Sequence, residues 1–196
     1  MIVFIDRQHA GQAHRINARG ASVDINGDGK ITKDEQEAHW TGYISLMLEM
    51  QLLKMGYKVI PISDGKYSER HARVNEYASM FNETTVYLAM HLNAGGGHYG
   101  SMFYDHRSST GKQLAESICN GLKTSIKSIR EFKAIDCRPD NWTKNAFYTI
   151  KGVAKPVAIC CEPIFMDTHI DLLNAFGASQ IALGMAAGLQ KWEKNQ

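Results

Sequence analysis

Short runs of β-branched and apolar residues alternate along the chain with longer amphipathic stretches. The short runs predict strands at residues 2–5, 57–61, 86–91, 101–104, 146–150 and 157–161. The longer stretches predict helices at residues 33–55, 68–81, 110–128 and 168–191. This alternation favours an α/β fold with a mostly parallel sheet that is covered by helices on both faces. Ligands of such sheets bind at the carboxyl ends of the strands, so candidate chemistry is expected there.

Two polar segments interrupt this alternation, at residues 10–34 and 129–145. We predict both as loops. Loops of this length are uncommon in a compact domain and usually carry a function.

The composition excludes several classes of protein. Hydrophobic residues make up 44% of the 196 positions, too many for a disordered tail. The 22 Lys and Arg nearly balance the 20 Asp and Glu, which argues against a nucleic-acid partner. No stretch approaches the roughly 18 apolar residues of a membrane span, and residues 1–6 are too short for a signal peptide. We expect one soluble domain over residues 1–196, made in the cytoplasm and without a membrane partner; its oligomeric state stays open.

The four cysteines show no CxxC spacing, and two of them are adjacent. Adjacent residues of a strand point to opposite faces of the sheet, so a disulfide framework is not expected. We predict reduced thiols, mostly in the core, at Cys119, Cys137, Cys160 and Cys161.

Residues 24–35 match the twelve-residue EF-hand calcium loop. Oxygen ligands fall at its positions 1, 3, 5, 7, 9 and 12, which are Asp24, Asn26, Asp28, the Lys30 carbonyl, Thr32 and Glu35. Gly29 occupies the sharp turn at position 6. The loop occurs once and follows a poor entering helix, which disfavours a paired calcium sensor or a duplicated docking module. We predict a calcium ion that orders the segment; the alternative is a turn that caps a helix without metal.

Three polar residues end or follow apolar strands. His9 follows the first strand, His91 ends the third, and Glu162 follows the last. If these strands are parallel neighbours, the three side chains gather at one rim of the sheet. Histidine and carboxylate ligands with an open position are typical of a catalytic zinc site. Taken singly, each residue is more often structural or on the surface, and their shared position is what indicates a site.

A third metal ligand is offered by the start of the helix at residues 33–55. Glu35 is already assigned to calcium, while Glu37 lies about 200° further around a helix and faces nearly the opposite side. His39 is a competing ligand, and a solvated carboxylate favoured by the helix dipole is the alternative for Glu37.

The motifs of the chain resemble those of the zinc-dependent N-acetylmuramoyl-L-alanine amidases, the cell-wall hydrolases of bacterial autolysins and phage endolysins. The matching segments are Asp6 to His9 for D-P-G-H, Ala89 to Ala94 for S-x-H-x-N-A, and Pro156 to Phe165 for P-A-V-L-V-E-x-G-F. The run from Glu37 to Gly56 has the family spacing, and Arg70 fits an arginine before the third strand. Arg7 and Gln8 depart from the Pro-Gly of the family motif, and the calcium loop is an insertion that most members lack.

The resemblance implies a twisted, mainly parallel, mixed sheet of six strands and a catalytic domain that spans nearly the whole of residues 1–196. It implies zinc on His9, Glu37 and His91, with Glu162 as the general base. The implied reaction is cleavage of the peptidoglycan amide between N-acetylmuramic acid and the first L-alanine, in a phage lysin without its own wall-binding domain. The lysin would act on the wall after phage-driven release.

Substrate contacts are expected at Asn93, His98 and Arg138. The rival hypotheses are a zinc carboxypeptidase-like enzyme that cuts the stem peptide, and a calcium-dependent binding module without catalysis.

Overall fold

The computed structural model describes residues 1–9 and 20–196. The strands are β1 (Ile2–Arg7), β2 (Lys58–Ile62), β3 (Thr85–Met90), β4 (Gly100–Asp105), β5 (Phe132–Cys137) and β6 (Val157–Glu162). The helices are α1 (Glu37–Lys54), α2 (Tyr67–Ser79), α3 (Ser109–Ser125), α4 (Lys144–Ile150) and α5 (Ala175–Glu193). Short 3-10 helices lie at Lys33–Glu35 and Ile170–Leu172.

The six strands form one sheet in the order β2-β1-β3-β6-β4-β5. All neighbouring pairs are parallel except β4 with β6, which are antiparallel. The predicted fold class, a mainly parallel mixed α/β sheet of six strands, is therefore confirmed.

Two of the predicted secondary-structure elements are wrong. Residues 146–150, predicted as a strand, belong to α4. Ala146, Phe147 and Ile150 are buried there with helical spacing, although the segment is rich in aromatic and β-branched residues. The segment 129–145, predicted as a loop, contains β5. This strand lies at the sheet edge and has few fully buried positions, so its sequence gives a weak strand pattern.

Two predicted helices begin several residues later than expected. The helix at 33–55 is interrupted at Gln36, whose backbone is extended (φ −108°, ψ 141°), and α1 begins at Glu37. The helix at 168–191 begins only at Ala175, where the Asn174 side chain accepts hydrogen bonds from two backbone N–H groups.

The sheet is covered by helices on both faces. One face packs against α1, α3 and α5, and the other packs against α2 and α4. Cys160 and Cys161 point into these two opposite cores. All four cysteines are buried and free, which confirms the prediction of reduced core thiols. No helix in residues 1–9 and 20–196 is long and apolar enough to cross a membrane.

Candidate metal centre

The three strands that carry the candidate residues are adjacent. β3 lies between β1 and β6, and all three are parallel. His9 lies just beyond β1, His91 follows β3 directly, and Glu162 is the last residue of β6. The structure therefore places His9, His91 and Glu162 at one rim of the sheet, as predicted for parallel neighbouring strands.

Two histidines and one carboxylate lie close enough to share a metal ion. Glu37 Oε1 is 3.0 Å from His91 Nδ1 and 3.5 Å from His9 Nε2. One ligand atom from each of the three residues lies within 4.8 Å of the others, and within the described part of the chain this is the one such set of His, Cys, Asp or Glu. His39 is not part of the set.

These residues fit zinc by chemistry and by spacing. Imidazole nitrogens and a carboxylate oxygen are common zinc ligands, and ligands about 2.1 Å from a tetrahedral ion lie about 3.4 Å apart. The distances of 3.0 and 3.5 Å bracket that value. His91 Nε2 is buried and has no hydrogen-bond partner among the described residues, so no protein hydrogen bond holds that side of the ring.

Glu37 is held in place by the chain around it. Its Oε2 accepts a hydrogen bond from the Ala21 N–H at 2.8 Å, and its Oε1 accepts one from the Leu92 N–H at 3.0 Å. Burial opposes ionisation of this carboxyl, but the hydrogen bond and charge of His91 outweigh it, so the pKa of Glu37 is lowered. The residue is thus prepared as an anion beside two imidazoles.

A buried polar network supports the end of β1. Arg70 donates to Asp6 Oδ1 at 2.6 Å and to Gln8 Oε1 at 2.9 Å, while the Tyr87 hydroxyl donates to Asp6. Asp6, Gln8, Arg70 and Tyr87 are all at most 1% exposed.

This network fixes the residue that precedes the first histidine. The Thr41 hydroxyl donates to the Gln8 carbonyl at 2.7 Å. The next residue, His9, has φ 63° in the left-handed region, which costs a non-glycine residue energy unless its surroundings impose it. The sequence analysis assigned no role to this network. The motif matches at Asp6 and Arg70 were the only sequence features that pointed to it.

Glu162 lies next to the set of His9, Glu37 and His91 but does not belong to it. Its Oε2 accepts a hydrogen bond from the Asn93 side-chain amide at 2.5 Å. Burial raises the pKa of Glu162 to about 7; the charge of His91 opposes this rise and the charge of Glu37 adds to it. Together with Glu37 and His91 it lines a cavity of about 360 Å³. A carboxyl with a pKa near 7 is suited to accept and return a proton.

The predicted substrate residues fall in different places. Asn93 is part of the site through Glu162. His98 lies in the following loop, with its ring centroid 6.3 Å from that of His169. Arg138 follows β5 and pairs with Asp136. Because β5 is parallel to β4 and β4 is antiparallel to β6, this arginine lies at the opposite end of the sheet, and the structure does not bring it to the site.

The predicted calcium loop lies next to the candidate metal centre and contributes no residue to it. Gly29 has φ 76°, as its position in the loop pattern requires. Backbone N–H groups of the loop donate to the side-chain oxygens of Asp24, Asn26 and Asp28; the donor to Asp28 is the N–H of Lys30. The Glu35 carboxylate accepts from the Ile25 N–H and from the backbone and hydroxyl of Thr32. Among the described residues, Asp24, Asp28 and Glu35 do not form a close metal-ligand set. Glu35 therefore contacts the loop, whereas Glu37 lies with the two histidines.

Solved structures of cell-wall amidases share this fold. The CwlD amidase from Clostridioides difficile, in complex with the GerS lipoprotein, matches with a TM-score of 0.71 and 19% identity, over 100% of this chain and 99% of that one. The N-acetylmuramoyl-L-alanine amidase AmiC2 of Nostoc punctiforme matches with a TM-score of 0.71 and 21% identity, over 99% and 97%. The catalytic domain of the CD27L endolysin targeting Clostridia Difficile matches with a TM-score of 0.64 and 21% identity, over 97% and 96%.

Comparisons of sequence alone find no relative. No protein-family model matches the chain, and no curated protein matches it. At 19–21% identity, the similarity to the solved structures shows a common fold.

Proposed function

We propose that this chain is a zinc-dependent peptidoglycan amidase that cleaves the amide between N-acetylmuramic acid and the L-alanine of the stem peptide. The observation that carries the proposal is the convergence of His9, Glu37 and His91 beside Glu162 at one rim of the sheet. The fold shared with solved N-acetylmuramoyl-L-alanine amidases supports the substrate class.

The ligand residues would be His9 Nε2, Glu37 and His91. Bound there, zinc supplies a Lewis acid for the scissile carbonyl and lowers the pKa of water. Glu37 brings its negative charge to the two imidazoles, and the Ala21 and Leu92 N–H groups keep its carboxylate aimed at them. These outer contacts orient the ligand set before metal binds.

Glu162 handles the proton. Its carboxylate accepts a proton from the attacking water and returns it to the departing amine, which leaves as the new amino terminus of L-alanine. The Asn93 amide holds Glu162 Oε2, so the other carboxylate oxygen is left for this transfer. The pKa of about 7 places both protonation states within reach at neutral pH.

The test is digestion of purified peptidoglycan followed by mass spectrometry of the fragments. Wild type is expected to release peptides with free L-alanine amino termini, and Glu162→Gln to retain zinc but release none. Glu76→Gln, an exposed carboxylate on α2, is the matched control and should behave as wild type. Cleavage inside the stem peptide would establish the carboxypeptidase-like alternative, and normal activity in Glu162→Gln would refute the assignment of the base.

Metal content tests the ligand set independently of activity. Purified wild type is expected to hold one zinc ion, and His91→Ala to lose it. His106→Ala replaces a histidine that contacts Asp105 far from the cluster and should keep the metal. Equal zinc content in His91→Ala and wild type would contradict the ligand assignment.

We also propose a calcium ion bound by Asp24, Asn26, Asp28, the Lys30 carbonyl, Thr32 and Glu35. The support is the complete EF-hand pattern together with the positive φ of Gly29. Calorimetric titration with Ca²⁺ should show one site in wild type and none in Asp24→Ala. An absence of calcium binding in wild type would identify the loop as a metal-free helix cap. Calcium binding without zinc would favour the binding module.

The phage lysin role and the phage-driven release stay predictions from the sequence resemblance. The fold shared with an endolysin catalytic domain supports the lysin role alone. Lysis of host cells only when the chain is coexpressed with a phage membrane-permeabilising protein would be the expected result.

A further inference from the structure

A second cavity adjoins the candidate active site. It has a volume of about 630 Å³ and lies between α2 and the end of α4. Tyr67 and Tyr148 line it and also line the cavity that contains Glu162. We call this second cavity the tyrosine pocket. A substrate group that extends from the scissile bond past these two tyrosines enters it.

Hydrogen bonds between α2 and the residues after α4 hold the tyrosine pocket open. The Asn75 side chain donates to the Gly152 carbonyl at 2.8 Å and accepts from the Ala154 N–H at 2.8 Å. The His71 ring donates from Nε2 to the Thr149 carbonyl at 2.7 Å. The two walls are therefore fixed to each other, and a ligand binds without the cost of ordering them.

The aromatic walls are also fixed. The Arg70 guanidinium lies 4.7 Å from the centroid of the Tyr67 ring, and the His71 ring stacks on it at 6.0 Å. As whole residues, Tyr67 and Tyr148 are 37% and 45% exposed, respectively. They offer flat apolar surfaces at the boundary between the two cavities.

The pocket is positively charged. Lys66 and Lys151 line it, and no acidic residue does. Neither lysine has an ion-pair partner in residues 1–9 and 20–196; Lys151 Nζ instead lies 4.1 Å from the centroid of the Tyr148 ring. At the start of α2 the Glu69 carboxylate, which does not line the pocket, accepts the Lys66 backbone N–H at 2.8 Å, so the positive charge of the pocket comes from the two lysine side chains. This combination favours an anionic ligand beside an apolar surface.

We infer that the tyrosine pocket binds a carboxylate of the stem peptide on the leaving side of the scissile amide. The inference rests on the proposed function. In that substrate the lactyl carboxyl of the muramic acid is consumed in the scissile amide, so free carboxylates occur on the peptide side. Lys66 and Lys151 would contact the carboxylate, and Tyr67 and Tyr148 would contact the aliphatic part of the peptide.

Steady-state kinetics on two synthetic muramoyl peptides test this subsite. The peptides differ only in whether the second residue of the stem carries a carboxylate or a carboxamide. For wild type we expect a KM for the carboxylate peptide that is lower by roughly five-fold to twenty-fold, as for one or two exposed charge contacts. The double variant Lys66→Gln/Lys151→Gln should lose this preference with kcat unchanged. Lys123→Gln, an exposed lysine on α3, should keep it.

A binding measurement separates this inference from the proposed reaction. Calorimetry with the two free stem peptides, which contain no scissile bond, should show the same preference for the carboxylate in wild type and its loss in the double variant. Equal affinity of wild type for both peptides would overturn the subsite even if the amidase reaction is observed. A carboxylate preference in binding, without release of L-alanine amino termini from peptidoglycan, would overturn the proposed reaction and leave the subsite standing.

Discussion

Replacement of Glu162 by Gln should make the metal-free protein more stable at high pH and leave it unchanged at low pH. Burial raises the pKa of this carboxyl to about 7 from an ordinary value of 4.5. A native pKa above the unfolded one means that ionisation costs stability. The cost is absent below about pH 4.5, grows between pH 4.5 and 7, and is complete above pH 7.

The expected size follows from the same two pKa values. At 1.36 kcal/mol per pH unit, they correspond to about 3 kcal/mol of lost stability in wild type at pH 8, which Gln does not suffer. Urea denaturation in the presence of a chelator, at pH 4.5, 6 and 8, measures the free energy of unfolding of both proteins.

The control for this experiment is Glu76→Gln, whose carboxylate is exposed. Its difference from wild type should stay within about 0.5 kcal/mol at every pH. A stability difference between Glu162→Gln and wild type that is constant from pH 4.5 to 8 would refute the argument that burial raises the pKa of Glu162.

Three further substitutions test contacts around the site and between helices. Gly20→Ala should weaken zinc binding at least about ten-fold in a chelator competition assay. The new Cβ would lie 2.7 Å from the Glu37 Cβ and displace that ligand. An unchanged Kd for zinc would show that Glu37 can shift freely. Gln8→Gly removes one of the two acceptors of Arg70, the one next to His9, so zinc affinity should fall about ten-fold while the far-UV circular dichroism spectrum stays the same. Gly188→Val forces a side chain against the backbone of α3 and should cost about 2 kcal/mol or more in urea denaturation, whereas a neutral result would place the helices further apart.

The sequence could predict the three strands whose ends form the rim, but it left open whether those strands are neighbours. Long apolar runs mark β1, β3 and β6 because these central strands are buried on both faces, and the residues that end them are therefore conspicuous. His9, His91 and Glu162 are found in this way without any knowledge of the fold. The edge strand β5 and the short helix α4 have half-exposed positions, so local pattern gives no reliable indication of either.

Contacts between distant side chains away from the strand ends could not be predicted. The Arg70 side chain joins residues 62 and 64 positions away, and nothing in the local sequence indicates that Gln8 faces it. The tyrosine pocket likewise depends on how α2 packs against α4, an element that the sequence assigned to a strand. The position of Arg138 could not be predicted either, because the segment before it is predicted as a loop and forms β5, whose direction places Arg138 at the opposite end of the sheet.

The relation between Glu35 and Glu37 depends on backbone pairing and not on a continuous helix, because the extended Gln36 separates the 3-10 helix that ends at Glu35 from α1. Val23 donates to the Glu35 carbonyl and Glu37 donates to the Ala21 carbonyl, so residues 21–23 pair with residues 35–37 as an antiparallel bridge. The Ala21 N–H also reaches the Glu37 carboxylate. The segment that enters the predicted calcium loop is therefore bonded directly to the predicted zinc ligand. If the two proposed ions bind and are coupled through these hydrogen bonds, reciprocity requires each ion to change the affinity of the other by the same factor.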